Sequence, residues 1–133
     1  MANNSPKRKN RAPLNLLMGA LGLVATAILM LQSFTAIPDP LRLISGITVL
    51  IAVPTMFFTR KSDEYTLQLW STAANAAFAV TIFFFFGLAL VQGFLNAHDG
   101  DSASRTLDTA DIMDFTILSF FLAFNIKRLT GAM

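Results

Sequence analysis

The sequence has no cysteine and one histidine, His98, and each scarcity removes chemistry. Without thiols there is no disulfide, no thiolate nucleophile and no cysteine-held iron–sulfur or zinc centre. A lone imidazole cannot supply both axial ligands of a haem within one chain. A Ser-His-Asp triad would have to form at the loop that carries His98. Glycine-rich phosphate cradles of the G-x-x-x-x-G-K and G-x-G-x-x-G kinds are missing as well. No cofactor and no enzymatic activity are therefore expected.

Charge is also scarce. Ionised side chains make up 14% of the 133 residues against 54% apolar, too few to clothe a soluble domain of this length. None lies between Pro13 and Phe34 or between Thr66 and Leu95, and such runs exceed the roughly 20 apolar residues that cross a bilayer core. The expectation is an all-α integral membrane protein. Its first partner is the lipid bilayer. The pI near 9.4 reflects a small excess of +2 whose basic residues border hydrophobic segments, which is a topology signal and not a nucleic-acid footprint.

Four spans are expected, at about 13–34, 41–59, 63–95 and 112–128, forming two antiparallel hairpins. The fourth is the least apolar. It crosses only if Ile112 and Met113 join its core while Lys127 and Arg128 reach back to the headgroups; the alternative is a re-entrant or surface helix. Lys7, Arg8, Lys9 and Arg11 precede the first span, Arg60 and Lys61 follow the second, and Lys127 and Arg128 follow the fourth. The positive-inside rule then puts both termini in the cytoplasm of a bacterial inner-membrane protein, leaving only Arg42 and Arg105 outside. Asp39, Asp99, Asp101, Asp108, Asp111 and Asp114 fall on the outer side.

Residues 1–12, polar and basic, read as a mobile cytoplasmic tail, and 13–133 as the transmembrane domain. Phe34 spoils the best small-x-small signal-peptidase site, so the first span reads as a retained anchor. The turn "AIPDPL" stops one helix and launches the next, whereas "NAHDGDSASRTLDTAD" reads as an exposed loop. Within it "HDGDS" resembles the start of a calcium loop but lacks the later glycine and glutamate, so no metal site is expected.

The third span opens with "KSDEYTLQLWSTAANAAFAV". Ser62 is the expected N-cap, Asp63 and Glu64 suit the positive end of the helix dipole, and Tyr65 and Trp70 suit the interface. Above them Gln68, Ser71, Thr72, Asn75 and Ala79 share one side of the helix at 100° per residue. Polar side chains facing lipid are costly, so this side is expected to be a packing seam. Depth arithmetic at 1.5 Å per residue puts Asn75 about 13 Å inside the boundary, level with Gly22, Leu50 or Ile51, and Ser119. A close-packed layer is expected there, with Gly19 and Gly22 forming a groove.

Two functional readings follow. The first is a structural or accessory subunit that packs through this seam with a larger membrane complex or with itself. The second is a small oligomeric proton- or cation-coupled transporter using Asp111 and Asp114, spaced i, i+3 at the start of the fourth span. Small four-span exporters with a membrane-embedded glutamate in span one differ here, because this span one carries no ionisable residue. The consecutive Phe83–Phe86 point all around a helix and cannot form one aromatic box.

Overall fold

Pro13 in the first turn starts helix α1, Ala12–Leu31, and the Asn10 Oδ1 accepts the otherwise unpaired Ala12 N–H at 2.9 Å. The computed structural model describes residues 10–32, 34–99 and 109–131. Helix α2, Asp39–Thr59, begins on the Pro38–Pro40 pair and runs through Pro54. A short turn leads into α3, Glu64–Ile82. Its N-cap is Asp63 and not Ser62: Asp63 Oδ1 accepts the Thr66 N–H at 2.7 Å, and Thr66 Oγ1 reaches back to the Asp63 N–H. A carboxylate closes that capping box better than a hydroxyl because it carries full charge at the positive helix end. Ser62 instead donates to the Thr59 carbonyl.

The third rod continues past α3 through a π-helical turn at Phe83–Gly87 into α4, Leu88–Asp99. Helix α5, Thr109–Thr130, ends where Gly131 takes a positive φ of 56°, the left-handed stop that glycine adopts without strain. No strand occurs among the described residues. Three rods are long and apolar enough to cross a membrane: α1, α2 and Glu64–Val91. The basic tail 1–9 and the "GDSASRTLD" part of the longer loop lie outside the described residues.

Helices α1 and α5 form the central antiparallel pair, with α2 flanking α1 and α3 flanking α5. Spacing dictates which faces meet. Buried positions on α1 are Ala12, Asn15, Gly19, Gly22, Ala25 and Thr26, and on α2 Ser45, Val49, Ala52, Met56 and Thr59. The α2 set, and the α1 set apart from Ala25, follow alternating steps of three and four, the period of a nearly parallel helix seam. Across the central pair the Phe121 and Phe124 rings, both fully buried, occupy the hollows over Gly22 and Gly19. A Cβ at either glycine would fall within 3 Å of ring carbon, so large-against-small packing sets how closely α1 and α5 approach.

The α3 face differs from the sequence expectation. Thr66, Leu69 and Ala73 are its buried side, toward α5, whereas Asn75 is exposed, as are Leu50 and Ile51. The layer inferred from depth does not form because depth fixes the level of a residue along the axis but not its direction around it. Leu69 and Ala73 join Phe120, Phe121 and Phe124 of α5 in one buried cluster, and that packing turns the 69/73 side of α3 inward.

Candidate functional site

Two buried asparagines carry polar contacts between rods. Asn15 is fully buried, and its Nδ2 donates to the Met56 carbonyl at 2.9 Å and to Thr59 Oγ1 at 2.8 Å, tying α1 to the end of α2. Thr59 in turn donates to the Thr55 carbonyl. The carbonyl can only accept, which fixes the amide orientation and leaves Asn15 Oδ1 as a buried acceptor without a partner. Asn125 Nδ2 crosses from α5 to the Gly19 carbonyl at 2.9 Å, reachable because glycine leaves that carbonyl uncovered. Neither asparagine was singled out from sequence. The available signal was an amide inside an otherwise apolar run, weakened at Asn125 by the adjoining Lys127 and Arg128, which read as an interface.

The stripe residues of α3 point elsewhere. Gln68, Ser71, Asn75 and Ala79 are exposed on one side of the helix, and the first three make no side-chain hydrogen bond to a described residue. Thr72, half-buried at the edge of this side, accepts from Lys127 Nζ at 3.0 Å. Ser119 is half-buried and bonds within its own helix to the Thr116 carbonyl. Gly19 and Gly22 belong to the α1–α5 contact, so the candidate residues divide between an internal joint and an outward stripe.

At one end of the bundle the chain gathers its cations. Arg128 Nη1 donates to the Leu16 carbonyl at 3.0 Å, and Tyr65 OH to the Arg128 carbonyl at 3.4 Å. The starts of α1 and α3 and the ends of α2 and α5 therefore meet, bringing Arg11, Arg60, Lys61, Lys127 and Arg128 together. None of the five forms an ion pair with a described carboxylate. Arg60 Cζ lies over the Phe57 ring, 3.8 Å from its centroid, and 5.8 Å from the centroid of the Trp70 ring. Trp70 packs edge-on against Phe57 and Phe120, joining α2, α3 and α5.

Toward the opposite end, a crevice of about 230 Å³ between α3 and α5 is lined by Thr81, Phe85, Ile112, Met113, Thr116 and Ile117. Its two hydroxyls bond each other at 2.9 Å, so it offers an apolar wall. Asp114 is half-buried, is not without a partner and does not line the crevice. Asp111 stands in the first turn of α5. No group of three or more potential metal ligands occurs among the described residues.

Fold and site together define a helical membrane-protein class, built around α1 and α5, with an unpartnered polar stripe on one flank. No family model matches the sequence, and no curated protein and no solved structure is similar enough to match it.

Proposed function

We propose that this chain is a four-span bacterial inner-membrane protein, both termini cytoplasmic, that serves as a structural or accessory subunit docking through the outward stripe of α3. One observation carries the reading: Gln68, Ser71 and Asn75 are exposed and unpartnered on a helix apolar enough to span. Asn75 lies about 16 Å above the start of α3 at Glu64, a depth at which water is absent and an unpaired amide costs several kcal/mol. A neighbouring transmembrane surface removes that cost, and Ala76 and Ala79 allow close approach. The crevice beside α5 is apolar and excludes Asp114, so it lends no support to ion transport.

The test is native mass spectrometry of the tagged full-length chain extracted in mild detergent from its own membrane. Wild type is expected in a stoichiometric assembly, with another protein or with further copies of itself. Asn75→Leu and Ser71→Leu should still insert but run as single chains. A wild-type chain found alone, or an assembly indifferent to both substitutions, overturns the reading.

A further inference from the structure

We propose that Arg60 and Trp70 form a binding site for the phosphate of an anionic phospholipid headgroup. Arg60 is half-buried at the end of α2, and its guanidinium is held by stacking alone: none of its N–H groups has a hydrogen-bond partner, and no carboxylate pairs with it, among the described residues. The contact with the Phe57 ring holds the guanidinium in place while its N–H donors stay unpaired, and a guanidinium fork of that kind can grip a phosphate with two parallel bonds. Beside it the half-buried Trp70 indole N–H also lacks a partner and is not sealed from outside. The guanidinium carbon thus stands 5.8 Å from the centroid of the Trp70 ring, at the end of the bundle that gathers the cations. Lys61, exposed on the next residue, adds a second positive charge.

Charge complementarity selects the occupant. Five cations gather at this end against two described carboxylates, Asp63 and Glu64, neither of which pairs with them, and the anion native to a membrane surface is the lipid phosphate. The proposal requires that the helices lie in lipid; it does not depend on what binds the α3 stripe.

Trp70 is the only tryptophan, so its fluorescence reads the site directly. The full chain is reconstituted in phosphatidylcholine vesicles containing either brominated phosphatidylglycerol or brominated phosphatidylcholine at equal mole fraction, and Trp70 quenching is compared. Wild type should favour the anionic lipid about fivefold, the size of one basic contact at a membrane surface. Arg60→Gln should abolish that preference, and Arg60→Lys should weaken it because the planar fork is lost. Arg42→Gln, the same charge change at the other end, should leave it intact. Equal quenching of wild type by the two lipids overturns the proposal, as does a preference that survives in Arg60→Gln. Relief of quenching by millimolar inorganic phosphate would move the site from lipid to free anion and overturn it too.

Discussion

Asn15, Asn75 and Asn125 sit well inside the helical rods, and their surroundings separate their roles. Asn15 and Asn125 are buried and bond to backbone carbonyls of other helices, while Asn75 is exposed. Asn125→Ala removes the bond to Gly19 and leaves a void beside Phe124, so a loss of about 1–2 kcal/mol is expected. Asn75→Ala removes no contact within the chain and should leave the stability of the single chain unchanged. Unfolding of detergent-solubilised single chains, followed through the emission of Trp70 in its packed aromatic setting, measures both. Equal losses in the two variants would mean that the α5–α1 amide bond does not hold the helices. The Asn15 amide is less simple, because its unpaired oxygen already costs about 1–3 kcal/mol that its two donor bonds offset.

At the scale of helices, the glycines divide by what faces them. A Cβ on Gly22 would meet the buried Phe121 ring, whereas one on Gly46 meets nothing. Gly22→Ala must displace that ring or push α1 from α5, at about 1–3 kcal/mol. Gly46→Ala should be neutral or gain up to about 1 kcal/mol from higher helix propensity. Adding Phe121→Leu to Gly22→Ala should recover part of the loss, since the smaller side chain makes room, and a double-substitution cycle in bicelles reads the coupling. Additive effects would show that the two residues do not share the joint. Gly19 and Gly22 were visible in the sequence as small residues at one helical level, yet their phenylalanine partners were not. Hydropathy and length reveal that a helix crosses and at what depth each residue lies. Which way it turns depends on the shapes of its neighbours. For the same reason the polar stripe of α3 was legible as a stripe while its direction, away from α5, was not. The Ser62 and Asp63 positions show a shorter-range limit, where two adjacent capping residues compete and one residue's displacement of the helix start decides between them.

For the whole molecule, the end-to-end order of contacts constrains how it can sit in a bilayer. The α5 residues pair in antiparallel sequence with both neighbours: Arg128 with Leu16, Asn125 with Gly19, and Thr116 with Thr81. Helix α5 is 22 residues long, enough for about 33 Å at 1.5 Å per residue. Because α1 and α3 are apolar enough to cross, a partner in register with them over this length reaches the same level at its end as α1 at its start. In the proposed four-span arrangement Lys127 and Arg128 join Arg60 and Lys61 in one headgroup layer, and Asp114 lies toward the other. The sequence has no cysteine, so single introduced thiols report on each side without background. In intact cells, Asn10→Cys and Thr130→Cys are expected to resist a membrane-impermeant maleimide until the membrane is opened, while Ala36→Cys reacts from outside. Labelling of Thr130→Cys from outside with Asn10→Cys still protected would mean that α5 turns back, which the Arg128–Leu16 and Asn125–Gly19 bonds forbid. Labelling of both would invert the molecule and place its five clustered cations on the outer face, against the positive-inside rule.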